Sequence, residues 1–196
     1  MASIVLAGGP SSRMGQDKAM LMLGGQTLLE RAIRIAADAS KPVWVADRAD
    51  HYHFHGVTVI GDEHPGEGPL GGLITGLRAA GAGVHVVLAC DTPLMEPRVL
   101  SLLLMKLGEY DAAMFRLEDG LQPLGAVYRD RALSSLISSF ESGNRALQVA
   151  VKSLNTLVLE KNDLLQDDPV GLSFTNINDL DDYAHLLGAP DEDTEA

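Results

Sequence analysis

Thirteen residues, LAGGPSSRMGQDK from Leu6 to Lys18, gather three glycines, two serines, one arginine and one lysine directly after a short apolar run. That inventory suits an anion. Gly8 and Gly9 let successive backbone N–H groups approach a phosphate with no Cβ in the way, while Arg13 offers a forked donor and Lys18 a point charge. Neither familiar phosphate loop is spelled here. A Walker A loop needs Gly-Lys followed by Ser or Thr, whereas Gly15 is followed by Gln16 and Asp17, and the dinucleotide pattern GxGxxG fails against GGPSSRMG. A second cluster, LACDTPLM from Leu88 to Met95, sets Asp91 at the end of another apolar run, with Pro93 stiffening the turn. A carboxylate in that position suits Mg2+, which takes one or two carboxylates and completes its shell with substrate phosphates and water. Asp91 lies too far upstream to cap the helix predicted to begin at Pro97. Cys90 reads as a small buried residue rather than a nucleophile, because no His stands near it in sequence.

The elements that must hold these residues alternate along the chain. Ser3 to Ala7 reads as a buried strand ended by Gly8, Gly9 and Pro10. Thr27 and Glu30 have the spacing of a capping box, and Leu28, Leu29, Ala32, Ile33 and Ala36 recur on one face of a helix to about Ala39. Strands follow at Pro42 to Ala46 and Val57 to Gly61, a helix from about Leu70 to Ala80, a strand at Val84 to Ala89, and a helix from Pro97 to Leu107. Beyond it come strands at Ala112 to Leu117 and Gly125 to Tyr128, then a helix from Arg131 to Phe140 capped by Asp130. Asn144 opens a further helix through Lys152, Asn155 to Leu159 is a late strand, Lys161 to Gly171 is a polar loop, and Asp179 caps a closing helix to Leu187. Strands rich in Val, Ile and Leu alternating with helices predict an α/β, three-layer, Rossmann-like fold with a mostly parallel central sheet and helices on both faces. Ligands of such sheets bind beyond the carboxyl ends of the strands, which directs attention to the turns after SIVLA, VTVIG and VHVVLA.

Two other segments carry competing readings. His51, His53 and His55 alternate in HYHFH and could project three imidazoles from one face, but no carboxylate or Cys accompanies them, and an exposed connection is the plainer expectation. GPLGGLITGL, from Gly68 to Leu77, is either a small-residue helix packed closely on the sheet or a segment that closes over a ligand.

At 196 residues the chain is sized for one domain, expected to span residues 1–188 and to be followed by an acidic, disordered tail at 189–196. The longest apolar runs fall well short of the roughly 18 residues of a membrane span. MASIVLAGG lacks a basic n-region, so a cytoplasmic location is expected. One cysteine excludes an internal disulfide, and the six histidines show no zinc-ligand spacing with it. The formal net charge is −12, yet seven acids lie from Asp179 onward with no Lys or Arg among them, which leaves residues 1–178 at 20 acids against 15 bases. Binding to nucleic acid or an anionic membrane is disfavoured by that field, while a local phosphate site is not.

In the same order along the chain, LAGGPSSRMGQDKAML, GPLGGLITGL, ACDTPLM, QPLGAVYR and FTNIND follow one family's pattern. From Leu6 to about Tyr183 the sequence resembles the molybdenum cofactor guanylyltransferases, and the resemblance implies a nucleotidyltransferase fold and transfer of GMP from GTP to molybdopterin, with Mg2+ as cofactor. It implies that Leu6, Ala7 and Gly8 hold the guanine nucleotide, that Lys18 contacts its phosphates, that Asp62 is a further nucleotide contact and that Asp91 ligates Mg2+. Asn176 and Asn178 are implied to lie near the pterin-containing acceptor. Two positions depart from the pattern: the family's Asn after the second strand has only Asp47 as a candidate here, and its His-Pro dipeptide is Gln122 and Pro123. LAGG, where relatives using CTP often have LAAG, leans toward GTP. The rivals are a cytidylyltransferase or sugar-phosphate enzyme of the same fold, or a GTP-binding assembly or sensor protein without turnover. Cofactor-insertion proteins or molybdoenzymes are the expected transient partners. The chemistry is consistent with the residues themselves. A phosphate monoester, whose second pKa lies near ~6, is a nucleophile at neutral pH without a general base, so Arg13, Lys18, the glycine-loop amides and Mg2+ on Asp91 need only neutralise charge.

Overall fold

The computed structural model describes residues 1–8, 17–47, 52–164 and 166–188; Arg13, His51 and the expected tail at 189–196 lie outside these residues. In chain order, β1 (Ala2–Leu6) is followed by a 3-10 turn at Lys18–Met20, a tight hairpin of β2 (Met22–Leu23) and β3 (Gln26–Thr27), α1 (Leu28–Ala39), β4 (Val43–Asp47) and β5 (Val57–Gly61). Next come α2 (Pro69–Ala80), β6 (Val84–Ala89), α3 (Pro97–Lys106), β7 (Ala112–Leu117), β8 (Gly120–Leu121) and β9 (Ala126–Arg129). The order is completed by α4 (Ala132–Glu141), α5 (Leu147–Ala150), β10 (Thr156–Glu160) and α6 (Leu180–Gly188).

The main sheet runs β10-β7-β9-β6-β1-β4-β5, with β8 paired to β7 outside that path. β1 is parallel to both its neighbours, β4 and β6. β9 runs antiparallel to β6 and β7, so the sheet is mixed within a mostly parallel frame. Alternation along the strands sends side chains to two separate cores. Val5 packs with α1 and α3 residues such as Leu29, Ala36, Leu100 and Leu103. Ile4 and Leu6 pack on the other face with Leu73, Ile74, Leu136 and Leu147 from α2, α4 and α5. Helices therefore cover both faces, as the sequence predicts.

Local chemistry explains most boundaries. The capping box at α1 is complete: Glu30 N–H donates to Thr27 Oγ1 at 3.1 Å, and Thr27 N–H donates to Glu30 Oε2 at 2.7 Å. α3 opens with Pro97 in its first turn, where the missing N–H costs nothing. The glycines of α2 settle one of the competing readings. A Cβ at Gly76 would overlap Ile4 Cγ2 of β1, and one at Gly71 would come within 2.7 Å of His64 Cβ, so small residues are needed to bring this helix onto the sheet.

Three expectations are corrected and one element is added. Arg131, not Asp130, occupies the N-cap position of α4, without a side-chain cap, because Asp130 N–H is still bonded to Gly83 O at 2.9 Å in the strand pairing that precedes it. The helix expected from Asn144 through Lys152 is broken into the short α5 and a 3-10 turn at Val151–Ser153, since Asn144 Oδ1 instead accepts from Ala146 N–H at 3.2 Å in a local turn. The polar segment after β10 begins with a 3-10 turn, Lys161–Leu164, which buries Leu164 in the core of α1 and α3. The hairpin at 22–27 was not expected at all; Gly24 and Gly25, at φ 56° and 77°, supply the two positive dihedrals that a two-residue turn demands.

Candidate functional site

Strand register brings the sequence-predicted residues to one edge of the sheet. Leu6 lies opposite Ala46 on one side and Ala89 on the other, and Asp47 lies opposite Gly61. The turns carrying Ala7 and Gly8, Asp62, and Cys90 and Asp91 consequently leave from the same carboxyl ends. Cross-strand bonds hold them there: Cys90 N–H to Leu6 O at 3.1 Å and Ala7 N–H to Ala46 O at 3.0 Å.

Lys18 and Asp91, 73 residues apart, meet at this edge, with Lys18 Nζ 3.2 Å from Asp91 Oδ2 and side chains 18% and 30% exposed. They are sheltered from bulk water but reachable by a ligand. Lys18 is held by the 3-10 turn that contains it. Asp17 caps the turn, its Oδ1 accepting from Ala19 N–H at 3.1 Å, and Leu21 N–H closes it on Lys18 O at 3.1 Å. The second carboxylate oxygen of Asp17 accepts from the hydroxyl of Tyr52, a buried ring in the connection between β4 and β5.

Asp62 is fixed from α2. Its Oδ1 accepts from Thr75 Oγ1–H at 3.1 Å and from His64 N–H at 2.9 Å, and Thr75 Oγ1 in turn accepts from Glu63 N–H at 3.1 Å. Among the nucleotide-loop residues, Leu6 is 6% exposed and its side chain lies against Gly72, so a ligand can meet it only through its backbone. Ala7 is half-buried and Gly8 exposed. Asp47, the candidate on the second parallel strand, is buried.

The late Asn pair comes to the same turn by a backbone contact. Ile177 N–H donates to Asp91 O at 2.9 Å, while the Ile177 side chain is buried with Leu21, Leu23 and Leu28. Asn176 and Asn178 therefore flank the residue tied to Asp91. Asn178 N–H donates to Asp182 Oδ2 at 2.7 Å in the first turn of α6. The segment is anchored upstream by buried Asp168, which accepts from the N–H groups of Gly171, Leu172 and Ser173 at 2.9, 3.1 and 2.9 Å. Ser173 Oγ accepts from Glu96 N–H at 3.1 Å. Gln122 serves its own turn, donating to Asp119 Oδ1 at 2.7 Å.

The discounted features stay apart from this chemistry. Burial, with the neighbouring Asp91 charge second, pushes the Cys90 thiol up to about 12, which leaves it protonated and inert at neutral pH. In HYHFH, Tyr52 and Phe54 turn inward while His53 and His55 are exposed. Among the described residues no group of three or more His, Cys, Asp or Glu could hold a metal on its own. Tyr52, Thr75 and Ile177 escaped the sequence reading. Each acts through a hydrogen bond to a residue from 13 to 86 positions away, and no local pattern reports that.

One cation and one carboxylate at a strand edge cannot hold a free divalent ion tightly, but they can receive a polyphosphate that brings its own cation. A lysine suits phosphate charge, and a single carboxylate suits Mg2+ that completes its shell with phosphate oxygens and water. Comparison with known proteins agrees in class. The model of the MobA-like NTP transferase domain matches residues 3–157. A protein of Chloroflexus aggregans described as a probable molybdenum cofactor guanylyltransferase is 36% identical, over 93% of this chain and 91% of its own. One of Opitutus terrae with the same description is 38% identical, over 79% of each chain. Among solved structures, molybdopterin-guanine dinucleotide biosynthesis protein A from Archaeoglobus fulgidus superposes with a TM-score of 0.82 at 28% identity, over 95% of this chain and 96% of the other.

Proposed function

The chain belongs to the MobA-like NTP transferase family, and we propose that it is a molybdenum cofactor guanylyltransferase, transferring GMP from GTP to the terminal phosphate of molybdopterin with release of pyrophosphate. The observation that carries the site assignment is the Lys18–Asp91 pair at the carboxyl ends of β1 and β6, beside the loop that opens at Gly8. A phosphate oxygen of the acceptor attacks the α-phosphorus of GTP, a new P–O bond forms, and the bond from Pα to the bridging oxygen of the β-phosphate breaks, that oxygen leaving with pyrophosphate.

Each residue has a limited task in this reaction. Lys18 faces the phosphates, and Arg13, in the loop before it, adds a second cation. Ala7 and Gly8 receive the nucleotide along their backbone, together with that of Leu6, and Asp62 is a further nucleotide contact held ready by Thr75. Asn176 and Asn178 meet the acceptor from the opposite side of the Asp91 turn. Asp91 is the carboxylate for Mg2+, and the donor set fits: one partly exposed carboxylate, with room left for phosphate and water ligands. When bound, Mg2+ supplies charge neutralisation at the phosphates. A cytoplasmic location fits a reaction that consumes GTP, and no described helix is long and apolar enough to cross a membrane.

The test is to incubate the protein and Mg2+ with each NTP, with and without molybdopterin, and to measure pyrophosphate together with the mass of the acceptor product. Acceptor-dependent pyrophosphate with GTP alone, and a product heavier by GMP, is expected. Turnover with CTP would reassign the donor nucleotide, and GTP binding with no acceptor-dependent pyrophosphate would overturn the transferase reading.

A further inference from the structure

Lys18 is the cation of the proposed site, yet its position depends on what holds the three-residue turn around it. From its C-terminal side the turn is tied to the hairpin and α1 through Leu21, whose N–H bonds Lys18 O and whose own carbonyl accepts from Leu28 N–H at 2.9 Å. From its N-terminal side it is tied through the Asp17 carboxylate to the connection between β4 and β5. That carboxylate is divided: Oδ1 caps Ala19 N–H at 3.1 Å, and Oδ2 takes the hydroxyl proton of Tyr52. The Tyr52 ring is 6% exposed, lies 6.1 Å from the ring of Phe54 and belongs to the same buried cluster as Ala19, so its hydroxyl is a fixed donor.

We propose that Tyr52 is a positioning residue for the reaction: through Asp17 it orients the turn that aims Lys18 at the phosphates of the nucleotide. The sequence gives no hint of this role, since Tyr52 sits in a histidine-rich connection 35 residues from Asp17. Burial, then the Asp17 bond and charge, raise the Tyr52 hydroxyl above its ordinary range, which keeps it a protonated donor at any working pH. An Asp17 carboxylate that loses Tyr52 still caps Ala19, so the turn survives. What goes is the constraint on its orientation, and small misplacements of a phosphate-facing group can cost on the order of 100-fold in rate.

This proposal rests on the assignment of Lys18 to the phosphates, and a double-mutant cycle separates the two. Tyr52→Phe removes one oxygen and leaves the ring in place. It is expected to lower kcat roughly 10-fold to 100-fold, with Tm changed little. In a Lys18→Met background the same substitution should alter the residual rate less than about twofold, and it should add nothing to Asp17→Asn. A merely structural role would instead give a rate loss that tracks the unfolded fraction and repeats in both backgrounds. Reading the cycle a second time through calorimetric affinity for Mg2+ and GTP decides the point without any acceptor. Loss of affinity in Tyr52→Phe that vanishes with Lys18→Met supports positioning even if the acceptor has been misassigned. A Tyr52→Phe protein within about twofold of the parent in both rate and affinity, or one whose losses multiply with those of Lys18→Met, overturns it.

Discussion

The two sides of the Asp91 turn are fastened in different ways. On the side proposed for the nucleotide, Lys18 and Asp91 bond each other and Asp62 is bonded by Thr75, on elements rooted in the two large cores. On the side proposed for the acceptor, Asn176 and Asn178 flank Ile177, which is tied to Asp91 O and buried in a small cluster, with the Asp168 turn anchoring the segment upstream, and α6 beyond them has no buried residue. Local stability follows such differences. The side proposed for the nucleotide is built on the two large cores, whereas the side proposed for the acceptor rests on a separate, smaller cluster.

The largest effect should come from Lys18→Ala, which removes a positioned charge: turnover is expected to fall roughly 10²-fold to 10³-fold with Tm nearly unchanged, measured by pyrophosphate release and thermal melting. Ile177→Ala tests the other side. Truncation of a buried Ile costs about 2–5 kcal/mol, and here it should act locally, raising the KM for the acceptor while GTP affinity measured by calorimetry holds. If both affinities fell together, the distinction between the sides would be lost. Gly76→Ala should cost about 1–3 kcal/mol of global stability through overpacking against Ile4, and denaturant melts should show it. Acid gives a milder loosening. Burial lowers the pKa of His85, at the far end of β6, and its Nε2–H donates to Gly81 O at 2.9 Å. The unfolded chain therefore binds a proton that the folded chain refuses, so stability should fall as pH drops through the ordinary imidazole value of 6.5, and His85→Gln should flatten that slope. Smallest of all, removal of residues 189–196 should change stability by less than about 0.5 kcal/mol and leave transfer unchanged, as melting and turnover would report.

Much of this was legible because the decisive signals are local. The Thr27–Glu30 box, Pro97 and the Val-rich runs announce α1, α3 and the strands within a few residues of each boundary. β9 was expected as a strand, but its reversed direction depends on which neighbour it meets, and AVYR carries no sign of that. The hairpin at 22–27 could have been found from Gly24-Gly25, yet its strands are too short to alternate. For the site, Lys18 and Asp91 stood out by residue type and by resemblance. The Tyr52, Thr75 and Ile177 supports did not, because each works through a contact to a residue distant in sequence.

β1 is the first described strand and, by strand order, an interior strand of its sheet, between β6 and β4. Its partners are synthesised about 40 and 80 residues later, at Val43–Asp47 and Val84–Ala89, so a growing chain on the ribosome carries a buried-type strand with an open edge until Ala89 has emerged. Such long-range parallel pairing is slow and exposed to misassociation. Completion of the site comes later still. A nascent chain that has formed every described strand, through Glu160, still lacks Ile177 and its bond to the Asp91 turn.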